Sequence, residues 1–189
     1  MSETPIKKRN ILLVIAFAIL LFAVIVGAFA IVSMLESGFD LAGTPLSNTE
    51  LAMVGEPAPD FKFLSEQGHE LLLSDFAGTP IVLNFWASWC PPCRMEKPHF
   101  QQAFDYYGNE VKFIILNVDE PIDVVRAYMD EEGFSFPVYF DELREGAAAF
   151  SVTGVPETFF IDADGIVNSR FLGAINFDTI EHAIQEMLE

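Results

Sequence analysis

The chain has 189 residues, is 51% hydrophobic, and carries 28 acidic against 10 basic side chains for a formal charge of −18. Such a balance repels nucleic acid and anionic lipid headgroups, so neither is expected as a partner. The charge is uneven: residues 54–189 hold 24 of the acidic and seven of the basic side chains, a soluble, self-repelling surface that by itself identifies no substrate.

Residues 1–10 form a short leader ending in Lys7, Lys8 and Arg9, and residues 11–32 follow without one polar side chain. At about 1.5 Å per residue, that run makes a helix roughly 33 Å long, matching the roughly 30 Å of bilayer hydrocarbon. The basic residues ahead of it predict a cytoplasmic N-terminus, with everything after Val32 on the far side of a cell membrane. The competing reading is a cleaved signal peptide with Ala28-Phe29-Ala30 as its cleavage site. The apolar core of such peptides runs about 7–15 residues, which favours an uncleaved anchor here. No cysteine lies near the run, so no lipid attachment is expected.

Residues 33–53, with Gly38, Gly43, Pro45, Ser47 and Asn48, show no sustained period and read as a linker. From Val54 the pattern alternates. Phe61–Phe63 and Leu71–Leu73 flank the polar turn Gln67-Gly68-His69, predicting a hairpin. Ile81–Ala87 and Val111–Val118 are apolar runs of strand length. Between them Phe100, Phe104 and Tyr107 fall at helical spacing, with Gly108 as the stop. Pro121 opens a second helix ending near Gly133; Val138–Phe140 reads as a strand and 142–150 as a further helix. Thr158–Ile161 and Ile166–Leu172 form a hairpin across Asp164-Gly165. Ile180, Ala183, Ile184, Met187 and Leu188 make one face of a last helix, with Asp178 and Glu181 placed for a capping box. The order predicts one α/β domain with a mixed sheet over 54–189, large enough to bury a core without staples.

Both cysteines lie in Trp89-Cys90-Pro91-Pro92-Cys93, directly after a predicted strand and at the start of a helix. A helix N-terminus offers unpaired N–H groups and the positive end of the dipole, and both stabilise a thiolate. Thiolate is the attacking species, so Cys90 is the expected nucleophile and Cys93, one turn on, the resolving thiol. Pro91 suits the first turn, where no N–H is needed. A structural disulfide here would close a very short loop and stabilise little. Metal binding needs more ligands than two thiols, and His69, His99 and His182 show no ligand spacing, so no metal is expected; His99 is the one histidine near the pair. The electrons would be carried by the dithiol itself, with no cofactor.

With "VGEPAPDF" at 54–61, "LSDFAGTPIVLNFWASWCPPCRMEKP" at 73–98 and "VTGVPETFFIDADGIV" at 152–167, the chain resembles the membrane-anchored thioredoxin-like proteins of the TlpA, ResA and CcmG (DsbE) type. The resemblance implies a thioredoxin fold with an N-terminal hairpin and an inserted element near 120–150. It implies that Pro156 is a cis-proline facing the cysteines, that the Val155 backbone pairs with a bound peptide strand, and that Trp89 shields the pair. Asn84 stands where thioredoxins have a buried Asp six residues before the first cysteine. Glu96 matches a family Glu expected to handle the proton of Cys93; the alternative is a solvated first-turn carboxylate. Phe85 and Trp86 share a strand, so at least one belongs to the core. Glu157 fits the "PET" pattern without a role that the sequence assigns.

The resemblance implies a reductase of disulfide-containing exported proteins, apocytochromes c among them, fed by a membrane thiol-transferring donor. General thiol–disulfide interchange or oxidant defence stays open. A peroxiredoxin-like peroxidase would want Thr where Ala87 stands, and a copper-binding assembly factor would want three residues between the cysteines and a distal His.

Overall fold

The computed structural model describes residues 54–188, together with Leu21 and Phe22. Apart from those two, the predicted leader, anchor and linker lie outside the described residues. Among the described residues no helix is long and apolar enough to cross a membrane.

Seven strands form one sheet: β1 (Lys62–Leu64), β2 (Glu70–Leu72), β3 (Ile81–Trp86), β4 (Lys112–Val118), β5 (Val138–Asp141), β6 (Glu157–Ile161) and β7 (Val167–Leu172), in the order β2-β1-β5-β4-β3-β6-β7. β3, β4 and β5 run parallel, while β1, β6 and β7 join antiparallel. The helices are α1 (Pro91–Tyr107), α2 (Ile122–Glu132), α3 (Glu145–Ala149) and α4 (Phe177–Leu188). This is the thioredoxin-like α/β arrangement, with the hairpin β1–β2 added at one edge and α2–β5–α3 lying between β4 and β6 in sequence.

β3 is buried along its whole length, as a central strand covered on both faces must be. Its side chains alternate. Leu83 and Phe85 pack with Phe61, Phe63, Ala147 and Phe150 on one side. Val82 and Trp86 pack with Phe100, Val125 and Ile184 on the other. Asn84 shares the second face and therefore looks toward α1. Phe85 and Trp86 are both fully buried, each in a different core.

The "VGEPAPDF" stretch is held by backbone pairing: Gly55 N–H donates to Val167, Ala58 N–H to Gly165, and Val167 N–H to Glu56. At the β6–β7 turn, Asp162 Oδ1 accepts from the N–H groups of Asp164 and Ile166, and Gly165 takes φ +80°.

Three expectations need correction. The helix predicted over 142–150 is shorter, because Arg144 takes a left-handed φ of 57° and the helix begins only after it. The last helix is capped by Asn176, not by Asp178 and Glu181: Asn176 Oδ1 accepts from the Thr179 N–H at 3.0 Å. Glu181 instead accepts from the Tyr107 hydroxyl. Leu188 leaves the apolar face and is 41% exposed.

Candidate active site

β3 ends at Trp86, and a short turn closed by the Cys90 N–H on Ala87 O delivers Cys90 to the N-cap of α1. Cys90 and Cys93 are joined as a disulfide, with the Cys93 N–H donating to Cys90 Sγ at 3.2 Å. Pro91 and Pro92 occupy the first turn, where the missing N–H groups cost nothing. The two helix-end features that favour a thiolate, an N–H aimed at sulfur and the positive end of the dipole, therefore converge on Cys90.

The pair is nearly closed to solvent: Cys90 is 3% exposed and Cys93 0%. Trp89 beside it is 66% exposed, so its ring presents a broad apolar face to whatever approaches. Opposite the sulfurs, Val155–Pro156 is a cis peptide, and the Val155 carbonyl oxygen lies 3.5 Å from Cys90 Sγ. The Gly173 N–H donates to Pro156 O, tying this loop to the end of β7.

Behind Cys93 lies a buried polar group on α1 and the sheet. Glu96 is 1% exposed, which removes the solvated-carboxylate alternative. Its Oε1 accepts from Asn84 Nδ2 at 3.0 Å and its Oε2 from the Ile175 N–H at 3.3 Å. Asn84 also donates to Thr158 Oγ1 at 3.0 Å and accepts from Lys97 Nζ at 2.7 Å. Lys97 is fully buried, 3.9 Å from Glu96 Oε1, with its ammonium 4.4 Å from the centroid of the Trp86 ring. Burial raises the Glu96 carboxyl above its usual range, against the pull of Lys97. Burial lowers the Lys97 ammonium, against the pull of Glu96.

Sequence reasoning singled out Cys90, Cys93, Glu96, Trp89, Val155 and Pro156, and the fold brings them to one end of β3. It missed three residues. Lys97 was legible in principle: Cys93, Glu96, Lys97 and Phe100 follow the i, i+3, i+4, i+7 spacing of a buried stripe. Glu120, in the β4–α2 loop, accepts from the Ser88 N–H at 2.6 Å and from Asn117 Nδ2 at 2.6 Å, holding the loop before Cys90. Arg170 gives Glu157 its role: the buried carboxylate pairs with the guanidinium across β6 and β7. No local pattern announces the last two, because the contacts that matter, Glu120 with Ser88 and Arg170 with Glu157, span 32 and 13 residues. Among the described residues no group of three or more His, Cys, Asp or Glu side chains is placed to hold a metal ion.

Comparison with known proteins agrees with this geometry. The profile of the AhpC/TSA family matches residues 54–170. The thiol-disulfide oxidoreductase ResA of Oceanobacillus iheyensis is 32% identical over 186 residues, covering 96% of this chain and 91% of the relative. That of Geobacillus kaustophilus is 30% identical over 161 residues, covering 85% and 92%. Among solved structures, a thiol:disulfide interchange protein of the thioredoxin family from Chlorobium tepidum superposes with a TM-score of 0.64 at 28% identity, covering 72% of this chain and 99% of that one.

Proposed function

The chain belongs to the AhpC/TSA family, among its ResA-like thiol–disulfide oxidoreductases, and from that membership we propose that it reduces disulfides in exported proteins. The observation that carries the reading is the placement of Cys90: at a helix N-cap, its sulfur accepting the Cys93 N–H, beside the Val155 carbonyl.

In the reduced enzyme the Cys90 thiolate attacks a client disulfide, one client sulfur leaves, and a mixed disulfide forms. The client strand lies along Val155, whose backbone supplies the pairing that orients the bridge, while Trp89 covers its apolar side. Cys93 then gives its proton to Glu96 and attacks Cys90 Sγ, expelling the second client sulfur. A membrane thiol-transferring donor then reduces the Cys90–Cys93 disulfide back to the dithiol and is itself oxidised to a disulfide. The apolar run 11–32 and the basic residues before it support placing the domain outside the cytoplasm, tethered close to that donor. Apocytochromes c, whose cysteines must be reduced before haem attachment, are the proposed clients.

Purified full-length chain should reduce a cysteine-bridged peptide. Cys90→Ser should abolish the reaction, and Cys93→Ser should accumulate the mixed disulfide, seen by mass spectrometry. Dithiol pairs of this kind span roughly −270 to −120 mV, and the reductase reading requires the lower end. Equilibration against glutathione measures it, and a strongly oxidising value would reverse the proposed direction. Peroxide consumption by the purified chain would favour the peroxidase alternative instead.

A further inference from the structure

A lysine with no exposed surface needs a reason. Moving an ammonium out of water costs several kcal/mol, and long basic side chains normally keep their charge at the surface. Lys97 has that route closed: its stem and head are packed under Trp86 and Phe100, one helical turn after Cys93. The only salt bridge that either Lys97 or Glu96 makes, among the described residues, is to the other. Glu157, next to Thr158 in β6, is taken up by Arg170. From β3 the pair meets Asn84 and Trp86, Asn84 being held in turn by Thr158 of β6, and from the segment before α4 Glu96 meets the Ile175 N–H.

The hydrogen bonds suit an ion pair in the disulfide form. Both Glu96 oxygens accept from N–H groups, as a carboxylate does. Lys97 Nζ donates to Asn84 Oδ1, lies 3.9 Å from Glu96 Oε1 and faces the Trp86 and Phe100 rings. A neutral amine would need a donor for its lone pair, and both Asn84 Nδ2 bonds are already spent on Glu96 and Thr158. The arrangement is that of a carboxylate and an ammonium bridged by one amide.

We propose that Lys97 is a positioning residue, the fixed counter-ion of the proton transfer between Cys93 and Glu96. This rests on the reading of Glu96 as the base for Cys93. When the Cys93 thiol passes its proton to Glu96, the negative charge moves from oxygen to sulfur and Lys97 keeps its own. The pocket is neutral before and after. The Cys93 sulfur then bonds to Cys90 Sγ, the bond from Cys90 to the client sulfur breaks, and its electron pair leaves with the client. The proton on Glu96 passes to that departing thiolate. Without the ammonium, the buried carboxylate would be uncompensated and would already hold a proton at neutral pH, useless as a base. The opposed shifts of the two groups, Glu96 up and Lys97 down, bring both toward the range where such a transfer is cheap.

The test uses the reduced full-length chain in detergent and a small aromatic disulfide whose two thiols leave in sequence. The first release reports attack by Cys90 and the second reports attack by Cys93. In Lys97→Met the pH profile of the second release should move upward by about one unit or more, slowing it about tenfold at neutral pH. The first release should hold its profile. Added to Glu96→Gln, Lys97→Met should shift nothing further. A second-release profile of Lys97→Met that overlays the wild type overturns the counter-ion role; a Glu96→Gln profile that overlays it overturns the base beneath. Should Lys97→Met not fold, the wild type answers by lysine-selective NMR. An ammonium on the acid side of neutrality in both redox states supports the proposal, and a neutral amine there overturns it.

Discussion

Glu120 accepts from the Ser88 N–H, the Ser88 hydroxyl and the Asn117 amide, so one carboxylate fastens the loop between β3 and Cys90. Glu120→Ala would leave the half-buried Ser88 N–H without its acceptor, a cost of about 1–3 kcal/mol. A lowered thermal midpoint and slower disulfide reduction are expected. Glu120→Gln, which keeps one acceptor oxygen, should retain most of both. Lys97 gives a prediction with a definite sign. Burial lowers its ammonium from 10.5 to about 7, so between those values the unfolded chain binds more protons than the folded one. Stability through this group rises with pH across that window. Denaturant unfolding at a series of pH values should show the rise, and Lys97→Met should flatten it. The same residue marks a limit of sequence reading. A C-x-x-C set between an apolar strand and a helix start announces a nucleophile through its placement, whereas Lys97 looks like any helical lysine until its position on the Cys93–Phe100 stripe is weighed.

Strands and helices were legible where period and punctuation agreed. The hairpins, the central strands and α1 follow from alternation, from Phe100 and Phe104 at helical spacing, and from Gly108 as the cap. Ends were less legible where a side chain decided them. Arg144, in a left-handed conformation and paired with Asp119, delays α3; Asn176 reaches Thr179 and starts α4 earlier than its acidic residues suggest. Asp141 takes over the capping of α3, accepting from the Gly146 and Ala147 N–H groups at 3.2 and 2.8 Å. Gly146 itself is fixed by packing. A Cβ there would come within 2.7 Å of Phe61 Cδ2, and the Phe61 ring is held edge-on against Phe150. Gly146→Ala should destabilise by about 1–3 kcal/mol, measured by denaturant unfolding, with the cysteine pair left reactive.

For the molecule as a whole, charge is the feature that composition alone discloses. With 24 acidic and seven basic side chains over residues 54–189, the folded domain repels itself, and few of the acidic groups have partners. Added salt screens that repulsion within a Debye length of about 10 Å at 0.1 M. The thermal midpoint should therefore climb as monovalent salt is raised from low to physiological strength; a flat or falling midpoint would show that paired charges dominate instead.

Cys90 is 3% exposed, and the Val155 carbonyl stands 3.5 Å from its sulfur. A sulfur so little exposed is reached more readily by a bridge on a pliant stretch of chain than by one held inside a folded partner. Under the proposed function, steric access would favour unfolded clients over folded ones without any recognition of their sequence.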